Sequence, residues 1–135
     1  MSKPKRWGGP PQPTNLFDVA PALESEYEDS IVEAALRLGY RVHVERRART
    51  KDGFRTAIKG NAGWPDIVIV GHGRAWFIEL KRKPRHPTGE QLAWIAELTA
   101  AGLDARVAYV PEEHQTILDD LITWRDSAIK KGTNP

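Results

Sequence analysis

The stretch Gly63 to Lys81, GWPDIVIVGHGRAWFIELK, constrains the fold more than any other part of the chain. Two apolar, β-prone runs, Ile67–Val70 and Ala75–Lys81, flank Gly71-His72-Gly73-Arg74. A glycine-bracketed turn between two such runs predicts a β-hairpin. If Val70 faces Ala75, then Ile69 faces Trp76, Val68 faces Phe77 and Ile67 faces Ile78. One more step in that register sets Asp66 opposite Glu79. Directly opposed side chains on one face have Cβ atoms ~5 Å apart. Two carboxylates at that range repel unless something positive lies between them. Strand alternation puts Asp66, Glu79 and Lys81 on one face with Val68, Val70 and Phe77. Ile67, Ile69, Trp76, Ile78 and Leu80 fall on the other. Both faces are apolar along most of their length, so both are expected to be covered, with the polar trio at the open end.

The flanking segments supply covering helices and further strands. LESEYEDSIVEAALRLGY predicts a helix closed by Gly39, with Tyr27, Ile31, Val32, Ala35 and Leu38 as its apolar stripe. RVHVE alternates as a strand does. Residues 46–62 are basic and glycine-punctuated, which predicts a long loop with a hairpin turn at Lys51-Asp52-Gly53. After the central hairpin, RKPRHP is a basic loop and TGEQLAWIAELTAAG a helix bounded by Thr88 and Gly102. ARVAYV is a strand, and PEEHQTILDDLITWRDSAIKK a final helix with Pro111 near its start. The order α-β-β-β-α-β-α predicts an α/β fold, a mixed sheet with helices on both faces.

Length and charge set the limits. The 135 residues suit one domain with a respectable core. Residues 1–22 carry five of the ten prolines and are expected to be a flexible tail. The domain is expected over 23–129, with a short C-terminal tail over 130–135. The absence of cysteine excludes disulfides, thiolate zinc sites and cysteine nucleophiles. No apolar run reaches the ~20 residues of a membrane span, and no signal-type h-region is present, so a cytoplasmic location is expected. Net charge is only +2, but residues 41–85 hold twelve Lys/Arg against four Asp/Glu, and both flanks are net acidic. Such a local excess suits a polyanion, and equally a solvated basic face.

Two carboxylates and an ammonium at a sheet end suit a hard, oxygen-preferring cation such as Mg²⁺. A bound cation there lowers the pKa of water and balances charge on a phosphoryl group, and a lysine orients the attacking water or stabilises the transition state. That is the chemistry of phosphodiester hydrolysis. The plainer reading is a turn aspartate and an edge-strand ion pair.

Gly63-Trp64-Pro65-Asp66 followed by Glu79-Leu80-Lys81 resembles the G-x-P-D…E-x-K signature of the VRR-NUC family, a branch of the PD-(D/E)XK nucleases. The resemblance runs from about Glu24 to Val110 and also takes in an acidic first helix, a helix with an early glutamine, and a following strand. It implies a restriction-endonuclease-like fold. It implies Asp66, Glu79 and the Leu80 carbonyl as ligands of Mg²⁺, with Mn²⁺ able to substitute, and Lys81 as the catalytic lysine. Gln91 matches a glutamine found near the family's active site, but it also completes a Thr88 capping box. The family's first-helix acid has four competitors here, Glu24, Glu26, Glu28 and Asp29. Glu28 lies three, four and seven residues before Ile31, Val32 and Ala35, which favours it.

The resemblance further implies an endonuclease acting on branched DNA such as a Holliday junction, in recombination, repair or phage DNA processing, as a homodimer. A phage origin would place it in the host cytoplasm. Arg46, Arg47, Arg49, Lys51, Arg55 and Lys59 are candidate phosphate contacts, as are Arg82, Lys83 and Arg85 directly after Lys81. Trp64 is placed either to stack on a base or to order the turn. The rival readings are a catalytically silent nucleic-acid-binding module with a nuclease fold, and a nuclease of restriction-type or RNA specificity. His43, His72, His86 and His114 show no metal-ligand spacing, and His72 is expected to be a turn residue.

Overall fold

A computed structural model of the chain describes residues 24–45 and 58–132, and the backbone of 48–50 and 53–55. The elements are α1 (Glu24–Arg37), β1 (Arg41–Val44), β2 (Ala48–Thr50), β3 (Gly53–Arg55), β4 (Ile67–Gly71), β5 (Arg74–Lys81), α2 (Gly89–Ala100), β6 (Asp104–Tyr109) and α3 (His114–Lys130). The four-stranded sheet runs β1-β4-β5-β6. β1 and β5 flank β4 antiparallel, and β6 joins β5 in parallel. The β5-α2-β6 connection is the crossover that a parallel pair requires.

The hairpin register is the one its turn dictates. Ile67, Val68, Ile69 and Val70 pair with Ile78, Phe77, Trp76 and Ala75. His72 and Gly73, at φ +51° and +84°, form a two-residue turn with both φ positive, the form that matches strand twist. His72 is more than a turn residue. It is buried, its ring Nε2 lies 2.8 Å from the Leu38 carbonyl, and its own carbonyl accepts from Trp124 Nε1 at 2.8 Å. The hairpin tip is thereby tied to the end of α1 and to α3.

The core lies on the face that carries Ile67, Ile69, Trp76, Ile78 and Leu80, all 2% exposed or less. Ile31 and Ala35 of α1, Ile117 and Leu121 of α3, and Tyr40 close over them. Each such aliphatic side chain contributes roughly 1.5–3 kcal/mol by leaving water. The Tyr40 hydroxyl donates to the Leu121 carbonyl at 2.7 Å, and burial pushes its pKa up to about 12. α2 covers the opposite face only in part, through the edge-to-face series Phe77, Trp64, Trp94. The expectation that both faces are covered fails over β1 and β4. Val70 is 45% exposed and shares this face with His43 and Arg41, because one helix cannot span four strands.

Two boundaries also differ from expectation. The segment expected as a long loop contains the ribbon β2-β3, whose Thr50–Gly53 pair brackets the expected turn. α3 begins at His114 rather than at Pro111, and the Tyr109 amide takes the Glu113 carboxylate at 2.8 Å just before it. The expected N-terminal tail, residues 1–22, lies outside the described residues, as do residues 133–135 of the tail expected over 130–135, whose first residue, Lys130, ends α3.

Candidate active site

β4 and β5 are antiparallel, so the start of one and the end of the other meet at the same end of the sheet. That places Asp66 beside Glu79 and Lys81, as the extended register requires. Asp66 Oδ2 accepts the Leu80 amide at 3.0 Å, which fixes the carboxylate against β5. Lys81 Nζ stands 3.5 Å from Glu79 Oε2, and both side chains are buried, 11% and 2% exposed. Glu79 Oε1 is buried with no hydrogen-bond partner among the described residues. A carboxylate in that position is held against its own charge. Burial first, and the neighbouring Asp66 charge second, push the Glu79 pKa from 4.5 up to about 8, although Lys81 pulls it down.

The three groups open onto a cleft of about 560 Å³. One wall is α1, through Glu24, Ser25 and Glu28; the other is the loop after β5, through Arg82, Lys83 and Arg85. The helical stripe assigns the first-helix acids as expected: Glu24 and Glu28 line the cleft, and Glu26 and Asp29 are exposed. Ser25 carries no signal in the sequence, whereas Glu24, one turn before Glu28, was legible as its partner. Leu80 also borders the cleft. Its side chain belongs to the core on the opposite face, so its main chain is what it offers.

Gln91 closes the capping box and also borders the cleft. Its Oε1 accepts the Thr88 amide at 2.8 Å while Thr88 Oγ1 accepts the Gln91 amide at 3.1 Å, a complete capping box. Gln91 is also 7% exposed and lines the cleft. The glycine of the motif has a local cause. Gly63 has φ +100°, and a Cβ there would lie 2.6 Å from the Glu90 carbonyl carbon and oxygen. The loop that delivers Asp66 is pressed against the first turn of α2, and only glycine fits.

The donor set fits a hard divalent cation. It has an orphaned, buried carboxylate oxygen, a second carboxylate beside it, and a neighbouring main chain. Among the described residues no three His, Asp or Glu side chains form a cage by themselves. A cation held here would therefore keep much of its water, as Mg²⁺ does in sites with one or two carboxylates. Of the other candidates, Lys59 is exposed and does not line the cleft. Arg49 and Arg55 sit on β2 and β3, and Arg46, Arg47 and Lys51 lie outside the described residues.

Solved structures with a similar fold exist. One, described as a VRR_NUC domain, superposes with a TM-score of 0.53 at 20% identity, covering 71% of this chain and 94% of that one. A second, described as a VRR_NUC domain protein, gives 0.56 at 21% identity over 78% and 92%. This chain has the VRR_NUC fold. By sequence alone it matches no family model and no curated protein. In the VRR_NUC fold of this chain, Asp66 of the G-x-P-D loop and the E-x-K strand end stand on one cleft, although Asp66 and Glu79 are 13 positions apart in sequence. No described helix is long and apolar enough to cross a membrane.

Proposed function

We propose that the protein is a Mg²⁺-dependent endonuclease that hydrolyses DNA phosphodiesters, with a preference for branched DNA. The observation that carries this reading is the buried Glu79 beside Asp66, its Oε1 without a partner among the described residues and its Oε2 3.5 Å from Lys81, at the floor of a cleft with a basic wall. Burying Glu79 opposite a half-buried Asp66 costs stability, and a purely structural site gains nothing from it. The VRR_NUC fold supports the same reading.

Asp66 and Glu79 would hold the cation, with the Leu80 main chain as a further donor. When bound, it would supply charge for the scissile phosphate and a more acidic water. The remaining work falls to this chain's own groups. Lys81, fixed by Glu79, presents its ammonium to the phosphate oxygens or to the attacking water. Arg82, Lys83 and Arg85 track the flanking phosphates. Gln91 donates from the α2 side, and Glu28 faces the centre from α1. Two copies acting together would bring two clefts to the two strands of a junction.

The test is a gel assay on a synthetic four-way junction and a matched linear duplex, with Mg²⁺ or Mn²⁺ and with chelator. Metal-dependent cutting that favours the junction supports the proposal. Binding of the junction without cutting under any condition overturns it in favour of a silent binding module.

A further inference from the structure

Trp64 precedes Asp66 by two residues, on the loop that carries that carboxylate to the cleft. Phe77 precedes Glu79 by two residues on β5, so it lies on the same face about 7 Å back along the strand. The Trp64 ring packs edge-to-face on Phe77 at 5.7 Å and on Trp94 at 4.9 Å. Trp94 is itself anchored, its Nε1 donating to the Asn61 carbonyl at 3.2 Å. The close approach of Gly63 to α2 and the buried Pro65 fix the backbone on either side. Of the three rings, Trp64 is the one left exposed, at 36%. An indole held by its neighbours, open to solvent and packed on the residue one pleat back from Glu79, differs from a core tryptophan, which is shielded by what covers it.

Resting on the nuclease reading, we infer that Trp64 is a stacking platform for a nucleobase next to the scissile phosphate, and that it selects nucleotides already unstacked from a duplex. A base inside a duplex has both faces covered by its neighbours. It reaches an indole only where the stack is interrupted, at a branch, an end or a single strand. The basic wall of the cleft orients the strand through its phosphates, and Trp64 takes the base. Preference for branched DNA then arises in the active site itself, without a separate specificity element.

The test measures binding in chelator, where no cleavage occurs, by fluorescence anisotropy of a labelled single strand. The same strand is made with one abasic nucleotide, moved stepwise along it. Trp64→Phe keeps an aromatic face; Trp64→Leu keeps apolar bulk without one, so neither opens a large hole under α2. Wild type and Trp64→Phe are expected to bind within about threefold of each other, and Trp64→Leu at least fivefold more weakly, the low end for one stacked base. One abasic position should weaken wild type by a similar factor and leave Trp64→Leu unchanged, because the two changes remove the same contact. Equal tolerance of Phe and Leu, or additive losses at every abasic position, overturns the inference in favour of a packing role. If Mg²⁺-dependent cutting persists without that coupling, the inference alone fails. If neither binding nor cutting of any DNA is seen, the nuclease reading fails with it.

Discussion

Glu79→Gln isolates the charge that the fold holds against itself. The substitution keeps the shape of the side chain and removes its ionisation. The Glu79 carboxyl has its pKa raised from 4.5 to about 8 in the folded chain. Between those values the folded state keeps a proton that the unfolded state has released. Stability therefore falls as pH rises through that window, by up to ~1.4 kcal/mol per unit, and levels off above it. From pH 5.5 to 8.5 the loss works out at about 3 kcal/mol, because the last part of the interval lies where Glu79 has itself ionised. The assay is urea unfolding of both proteins in chelator at the two pH values, with the change in their stability difference as the readout. A constant offset from the new amide cancels in that difference. The variant is expected to gain about 3 kcal/mol on wild type between pH 5.5 and 8.5. Added Mg²⁺ at pH 8.5 should stabilise wild type and not the variant. A stability gap that does not change with pH refutes the claim that burial and Asp66 outweigh Lys81 and disfavour the charged form of this carboxylate.

The remaining predictions concern the loop, the core and the lysine. Gly63→Ala should lower stability by on the order of 3 kcal/mol, since its Cβ meets the Glu90 backbone at 2.6 Å and φ is +100°; a shift in melting temperature under about 2 °C would show that the loop has room. Tyr40→Phe should cost about 1 kcal/mol, read by urea unfolding, because the buried bond to the Leu121 carbonyl is lost while that carbonyl stays in its helix. Lys81→Met should lower kcat at least about 100-fold with DNA affinity in chelator nearly unchanged, as expected of a group that acts in the transition state; an equal loss of binding would make it a phosphate anchor instead.

Much of this molecule follows from rules that act over a few residues, and those parts were legible in the sequence. Strand period and the glycine-flanked turn fix the hairpin register, and with it the opposition of Asp66 and Glu79. Helical period separates Glu24 and Glu28 from Glu26 and Asp29, and Thr88 with Gln91 spells its own cap. What the tertiary structure alone decided depends on which distant surfaces meet. No local pattern announces that Gly63 is pinned by the Glu90 backbone, or that His72 in a turn bonds the Leu38 carbonyl just past α1. Nor does one show that Arg106 of β6 bridges Asp104 and Asp120, or that one face of β1 and β4 stays open. The charge on Glu79 belongs to both levels. Its place opposite Asp66 is a matter of counting, but its raised pKa comes chiefly from the bulk of helices and strands that keep water away.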